Sequence, residues 1–469
     1  MEEIDQILSQ VKNWIWGAPL LFLLLGTGCY LTVLLKGVQF RYLGYAFKQV
    51  VAKQQENSKG DISHFEALMT SLAGAIGTGT IVGVATAVMV GGLGAIFWMW
   101  VTAFISMATK YAESLLAVKY RNVDLRGEMS GGPMQYISQG LGWKKMASLF
   151  AILGMIAALT TGNLVQTNSI AEGVYHVWGI DPWMTGIVLS LLTAIVVIGG
   201  VKSIGHVASV LVPGMALLYI GAACYILIIN YSDIPQAFMM IFHGAWNGHA
   251  ATGGFLGSTV MMAIQMGVAR SVFSNESGLG ISSIAAAAAK TDSPSRQALI
   301  TMTGALISTV IVCTMTGVAL AVTGVIGTSG ENGQVLNGAR LAISAFNKHI
   351  VGGEYIVTVG LILFAYTTVL AWSYYGEKCC EYLFGERSII AFRLIFALVV
   401  IPGAALKMEI AWHLADISNG LMVIPNLIAL IGLSGVIVKE TQTFLANVDR
   451  KESDSLALKP KDSTSLKDV

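Results

Sequence analysis

Two stretches of this chain set helix-breaking and polar residues inside otherwise apolar runs. The first, Gly74-Ala75-Ile76-Gly77-Thr78-Gly79-Thr80, holds three glycines, and each costs a helix about 1 kcal/mol relative to alanine. The second runs from Met266-Gly267-Val268-Ala269-Arg270 to Ser274-Asn275-Glu276-Ser277-Gly278-Leu279-Gly280. Glycine suits close helix packing as well as a break, so the glycines alone decide nothing. Arg, Asn and Glu within an apolar run are expensive and mark a cavity or a partner, which favours breaks in both stretches. An interrupted helix frees backbone groups that neighbouring protein or a cavity must satisfy. Freed N–H groups at a half-helix N-terminus attract a carboxylate, while freed carbonyls suit an ammonium group or Na⁺. A pair of such breaks matches both charges of a zwitterion.

The elements that position them follow from composition. Of 469 residues 55% are hydrophobic and 12% charged, about half the charge of an average soluble domain. This predicts an integral membrane protein, and the net charge of +1 argues against a nucleic-acid partner. Cys29, Cys224, Cys313, Cys379 and Cys380 lack the spacing of a zinc site and read as packing residues. No cleavable signal is evident in the mixed-charge stretch Met1 to Asn13.

A membrane helix needs about 20 apolar residues. The runs Trp14–Leu35, Ala67–Thr109 (two helices), Ser148–Ala171, Pro182–Gly200, Val207–Ile229, Gly254–Ala289, Ala298–Val325, Tyr355–Tyr375, Ser388–Leu406 and Ile410–Val438 predict eleven spans. On that count nearly all lysines and arginines outside the spans fall on one side, leaving only Lys12, Arg340, Lys348 and Lys407 on the other. Positive loops stay cytoplasmic, so the N-terminus is expected outside and the C-terminus in the cytoplasm of a multi-pass protein of the cell (inner) membrane. The two interrupted spans then enter from opposite sides, as in an inverted repeat of five plus five helices. The expected fold is all-α, with one extra N-terminal helix and broken first helices in each repeat. Residues 1–63 hold the external N-terminus, extra helix and cytoplasmic loop, 64–232 the first repeat and 233–438 the second. Residues 439–469 are expected to form a solvated, disordered tail.

Seven stretches carry a family resemblance: GAIGTGTIVGVATA, FWMWVTAFISMATKYAE, GNLVQTNSIAEG, GVARSVFSNESGLG, AAAAAKTD, LAWSYYGEKCCEYLFGER and ADISNGLMVIPNLIALIGLSG. The sequence resembles the alanine or glycine:cation symporters, a bacterial and archaeal family with the bacterial leucine transporter fold in the amino acid-polyamine-organocation superfamily. The resemblance implies sodium-driven uptake of small neutral amino acids, chiefly alanine and glycine, with no cofactor beyond the co-transported Na⁺. It implies that Gly77, Thr78 and Gly79 offer N–H groups to the substrate carboxylate. Asn163 resembles the family's polar contact, with Gln166 the weaker candidate one turn on; Thr368 and Trp372 line the pocket, and Met266 and Gly267 form the opposing break. Backbone carbonyls of Ala73 and Ile76 with hydroxyls of Thr367 and Thr368 would hold sodium. The family's usual asparagine is replaced by Thr80, which puts a second cation site, or the cation preference, in doubt, and proline is common at the position of Leu93.

The remaining charges have plainer readings. Lys110 and Glu113, three apart, are expected to neutralise each other. Arg270 and Glu276 sit near the second break, as a pair or in a network with Asn275, and serve either scaffold or gate. Asp416 reads as a packing or loop partner, and His64 and Glu66 precede the first break. A proton-coupled symporter of the same fold is the alternative, with Glu276 as the carrier. No HExxH, GxSxG or GxxxxGK[ST] motif occurs, which speaks against an enzyme or a nucleotide-driven pump. A channel would show repeated pore-lining elements in place of two opposed breaks. The partners expected are the amino acid, Na⁺ and the bilayer; no surface feature identifies a protein partner.

Overall fold

A computed structural model describes residues 2–52, 58–247, 259–330 and 333–457. The chain opens with α1 (Glu2–Ile15), α2 (Ala18–Leu34), α3 (Val38–Arg41) and α4 (Leu43–Val50). The interrupted helix α5 (His64–Ala75), π-turn Gly79–Gly83 and α6 (Val84–Gly91) follows, then α7 (Gly94–Lys119). A two-stranded hairpin, β1 (Asn122–Val123) against β2 (Met129–Ser130), leads to α8 (Pro133–Gly140). Next come α9 (Lys144–Leu159), joined by the π-turn Thr160–Leu164 to α10 (Val165–Trp178), then α11 (Pro182–Ile198), α12 (Gly200–Ile229) and α13 (Ile234–Asn247). The second half contains α14 (Val260–Asn275), α15 (Ser283–Ala287) and α16 (Pro294–Ala305), with the π-segment Leu306–Cys313 linking α16 to α17 (Thr314–Thr323). It continues with α18 (Gly338–Asn347), α19 (Gly353–Phe384), α20 (Ser388–Ala405), α21 (Met408–Gly432) and α22 (Ser434–Ala457).

The halves mirror one another element by element. A short helix precedes each broken helix (α4, α13), and another separates the second and third long helices of each half (α8, α18). That repetition is the inverted-repeat plan. Helix starts are set locally: Ser63 and Glu66 form a reciprocal capping box before α5, and Asp181 and Ser293 cap helices whose first residue is proline. Such caps satisfy N–H groups that a helix start leaves unpaired.

Six helices are long and apolar enough to cross a membrane, and two bent pairs, Asp5–Ile15 with Ala18–Leu34 (42°) and His64–Ala75 with Gly79–Gly91 (49°), raise the number to eight. The expected spans on α7, α11 and α14 are helical too but do not meet that test. The protein is thus a multi-pass, mainly helical membrane protein. α19 is the most enclosed of the spans, 72% of its apolar window buried against 28% for α12, so α19 sits centrally and α12 peripherally.

One expectation needs correction. The tail is not without structure from residue 439: α22 continues as helix to Ala457, with Thr441 hydrogen-bonded to Tyr111 at 2.9 Å and Glu440 paired to Lys119 at 2.6 Å. These contacts to α7 supply the order that composition does not reveal; residues 458–469 lie outside the described residues. The first thirteen residues contain α1, and the chain at its end is tied to α21 through the indole of Trp16, which donates to the Asp416 carbonyl at 2.9 Å. The seventh span is expected from Gly254; residues 254–258 lie outside the described residues, and α14 begins at Val260.

Candidate functional site

At the first break α5 ends at Ala75, and Ile76 leaves helical geometry at φ −87°, ψ 73°. Three glycines are there for space. A Cβ on Gly74 would lie 2.8 Å from Glu276 Oε1, on Gly77 2.4 Å from Thr368 Oγ1, and on Gly79 2.6 Å from the Phe273 ring. With Gln166 Oε1 also 2.9 Å from a Cβ on Gly77, the break is walled by three other elements, α10, α14 and α19. Thr80 closes its far side, its hydroxyl donating to the Gly77 carbonyl at 2.8 Å, and Thr316 donates to the Thr80 carbonyl at 2.8 Å.

The freed groups at this break are met by neutral side chains. The Thr78 N–H donates to Gln166 Oε1 at 3.1 Å, while Gln166 Nε2 donates to the Thr161 carbonyl at 3.0 Å. The Thr368 hydroxyl donates to the Ala73 carbonyl at 2.7 Å and stands 2.9 Å from the Phe364 carbonyl. Ala73, Thr368 and the Phe364 carbonyl thus form one oxygen cluster. The sequence reading misses Phe364, although its place four residues before Thr368 on one helix is the signal that could find it. Trp372, one turn beyond Thr368, packs against Gly162, where a Cβ would come within 2.1 Å of the Trp372 Cβ.

Four expected roles come out differently. Asn163 is bonded away from the break: its Nδ2 donates to the Phe396 carbonyl on α20 at 2.7 Å and its buried Oδ1 has no partner, whereas Gln166, beyond the π-turn Thr160–Leu164, is the side chain bonded at the break. Thr367 leans toward α12, with Met215 Sδ at 3.5 Å, and bonds the Phe364 carbonyl at 3.0 Å. Met266 and Gly267 are not a break: both lie within continuous α14. Gly267 instead lets α14 approach α7, since a Cβ there would lie 2.5 Å from the Trp98 Cβ and 2.6 Å from the Ala95 carbonyl.

The second break spans residues 276–282, between α14 and α15, and opens with Glu276 in the left-handed region at φ 58°. Here Lys110 and Glu113 act on each other's charge but form no direct ion pair, each being bonded to the break. The Lys110 ammonium donates to the Asn275 carbonyl at 2.6 Å. Glu113 Oε1 accepts from the Gly278 and Gly280 N–H groups at 2.8 and 3.1 Å and from Asn426 Nδ2 at 2.7 Å. Asn426 also donates to the Gly278 carbonyl at 2.8 Å and receives the Tyr136 hydroxyl. Spacing alone could not show this, because i and i+3 on α7 place both charges on one face without saying which element lies opposite. Glu276 itself pairs with neither Arg270 nor Asn275.

Arg270 reaches Asp416 Oδ2 at 2.7 Å, the two side chains 4% and 5% exposed. Its guanidinium lies 4.5 Å from the Trp412 ring centre and 5.8 Å from that of Phe273, whose rings sit 4.8 Å apart. With Val82 and Val165 these rings form one buried apolar cluster. Beyond it a cavity of about 700 Å³ is lined by Asn168, Glu172, Arg340 and Leu406. At the other, basic end a cavity of about 610 Å³ is lined by Asp61, Glu66, Lys202, His206 and Lys290. Neither is lined by a residue of the first break. Also at the basic end, Lys378 joins Glu381 at 2.8 Å and Asp124 at 3.4 Å. Burial opposes the ionised Asp124, but the Glu128 N–H and Lys378 outweigh it and hold its carboxyl below the usual value. His64 and Glu66 have structural partners, Gln297 at 2.5 Å and the Ser63 cap. The five cysteines are free, and no group of three or more metal-binding side chains occurs among the described residues.

Comparison with known proteins agrees with this architecture. The fold resembles that of MhsT, crystallised with L-phenylalanine, at a TM-score of 0.58 over 82% of this chain and 93% of that one. Identity is 13%, so the likeness is one of fold, the bacterial leucine transporter fold. In sequence the chain is 51% identical over 93% of its length to the sodium/alanine symporter AgcS of Methanococcus maripaludis, covering 96% of it. It is 35% identical to a putative sodium/proton-dependent alanine carrier (96% and 93% covered) and 34% identical to a probable sodium/glutamine symporter (92% and 89%), both of Bacillus subtilis. The profile of the sodium:alanine symporter family matches residues 1–457. With two opposed breaks on a transporter fold and a match over nearly its whole length, this chain belongs to the sodium:alanine symporter family.

Proposed function

We propose that the protein is a secondary transporter that carries alanine, glycine and similar small neutral amino acids into the cell together with Na⁺, by alternating access. The observation that carries this reading is the joint wall of the first break. Thr368 on α19 touches the Ala73 carbonyl, and Gln166 on α10 touches the Thr78 N–H two residues beyond Ile76. In this reading Na⁺ takes the oxygen cluster of Ala73, Ile76, Phe364 and Thr368, with Thr367 alongside. Uncharged oxygen ligands suit a hard monovalent cation. The substrate carboxylate takes the N–H groups of Gly77, Thr78 and Gly79, displacing the Gln166 oxygen, and Trp372 limits the length of the side chain.

Ion and substrate then meet on the same broken helix, so each stabilises the geometry the other needs, and the coupling must be reciprocal. Each Na⁺ entering at −100 mV supplies about 2.3 kcal/mol from the potential alone. The cavities at the two ends are the two vestibules, the Arg270–Asp416 end facing outward and the basic end the cytoplasm, in the inner membrane, with the N-terminus outside. The test is labelled L-alanine and glycine uptake into proteoliposomes under an imposed Na⁺ gradient, with K⁺ replacing Na⁺ and a pH gradient as separate arms. Uptake that requires Na⁺ is the expected result. Uptake driven by the pH gradient without Na⁺ would instead support proton coupling at Glu276, whose buried carboxylate has no hydrogen bond of ordinary geometry.

A further inference from the structure

Glu276 is fully buried, and its carboxylate has no hydrogen bond of ordinary geometry, with the indole N–H of Trp372 beside it. An ionised carboxylate left in this state costs several kcal/mol unless a cation joins it. Its surroundings make the need sharper. The carboxylate lies against Gly74, in the last turn of α5, where freed carbonyls and the helix dipole already present negative charge. Of the residues whose charges act on it, Lys110 is the cation, and the ammonium of Lys110 is engaged by the Asn275 carbonyl at 2.6 Å. Trp372 and Tyr375 of α19 complete the wall, and neither brings a positive charge.

The same helix carries the opposite end of the site. The Thr78 N–H stands four residues after Gly74, across the break at Ile76, and α19 spans both ends, Thr368 beside Gly77 and Trp372 beside Glu276. An α-amino acid has its ammonium nitrogen two bonds from its carboxylate carbon. With the carboxylate on the N–H side of the break, the ammonium falls toward the carbonyl side, where Glu276 waits. We propose that Glu276 is the counter-charge for the substrate's α-ammonium group and so sets the preference for amino acids over carboxylates that lack one. This rests on the amino-acid reading above.

The test compares wild type with Glu276→Gln and Glu276→Asp in proteoliposomes. It reads the KM for L-alanine, inhibition of alanine uptake by propionate (alanine without its ammonium), and ²²Na⁺ binding without substrate. The expected result for E276Q is an alanine KM raised at least tenfold, a smaller difference between alanine and propionate as inhibitors, and unchanged ²²Na⁺ binding, with E276D intermediate. Unchanged binding also shows that the variant is folded. If E276Q passes too little alanine for a KM, the alanine-to-propionate ratio is read on E276D, where it must fall. An unaltered KM and ratio would overturn the proposal, as would lost ²²Na⁺ binding in E276D, which would make Glu276 an ion ligand. Wild type that takes up no alanine under a Na⁺ gradient would instead refute the transport reading, so the two failures are distinct.

Discussion

The two breaks present the same backbone problem and receive opposite answers. At the second, the freed groups are met by ions and by several partners at once: Lys110 on a carbonyl, and Glu113 on two N–H groups with Asn426 braced behind it. At the first, each freed group has neutral and single partners, Gln166 for the Thr78 N–H and Thr368 for the Ala73 carbonyl. Charge-assisted bonds are roughly twice as strong as neutral ones. The second break is therefore held closed by the protein's own zwitterion, Lys110 with Glu113, whereas the first has bonds weak enough for a ligand to replace. A transporter must release what it binds, and of the backbone groups at the two breaks those of the first are built for exchange, with the Glu276 side chain facing them from the edge of the second.

The largest effect should come from unsealing the second break. Glu113→Ala leaves the Gly278 and Gly280 N–H groups, Asn426 and the Lys110 charge without their anion, and losing one partner of a buried charged network costs about 3–5 kcal/mol. Thermal unfolding in detergent should show a large fall in Tm for E113A. A Tm equal to wild type would mean that the second break is as exchangeable as the first. Next in size is Gly77→Ala, whose Cβ meets Thr368 Oγ1 at 2.4 Å. Overpacking of this kind costs about 1–3 kcal/mol and falls on the contact between ion site and substrate site. Alanine uptake should be lost while Tm falls less than in E113A; wild-type uptake would show that the α5–α19 contact is dispensable.

Legibility in the sequence divides along the same line. The first break is readable because its residues are contiguous: three glycines in an apolar run suggest it, and the polar residues of the seventh span decide for it. Sequence reasoning sets the second about ten residues early, at Met266-Gly267, because a glycine there signals close packing as readily as a break, and only the neighbouring Trp98 and Ala95 decide it. The true break runs from Glu276 to Gly280 and onward, and its first left-handed residue is not a glycine. Asn163 and Gln166 are both visible as polar residues near the start of α10, but the π-turn between Thr160 and Leu164 shifts the helix face, and nothing in the spacing announces an extra residue per turn. Pairings across hundreds of residues, such as Glu113 with Asn426 or Arg270 with Asp416, need the fold. The helical half-repeats need only hydropathy.

Sodium dependence sharpens the comparison at the oxygen cluster. Thr368→Val removes the hydroxyl that touches Ala73 and one ligand of the proposed site, an effect of about 1–1.5 kcal/mol, or roughly tenfold in the Na⁺ concentration for half-maximal uptake. Thr367→Val removes a hydroxyl that faces Met215 and its own helix and should shift that concentration less. Equal shifts would place both hydroxyls on the ion, and no shift in the double variant would remove the ion from this cluster.

The smallest and most discriminating effect lies on α10. Gln166→Ala deletes a neutral hydrogen bond to the Thr78 N–H, worth about 1 kcal/mol, and its sign depends on what the bond does. If Gln166 only holds the N–H until the carboxylate arrives, its removal leaves that N–H free for the substrate, and the KM for alanine should change less than about threefold in either direction. If Gln166 stays in contact with bound substrate, the KM should rise about tenfold, the cost of leaving a polar group on the ligand unpaired. The exchangeable character of the first break predicts the smaller change, because the oxygen of Gln166 occupies the place that the carboxylate takes. Asn163→Ala serves as the reference. Its Nδ2 is bonded to the Phe396 carbonyl, so the substitution should lower Tm through the contact with α20 and leave the KM alone. A KM that moves in N163A but not in Q166A would restore Asn163 as the substrate contact and require this segment to turn when substrate binds.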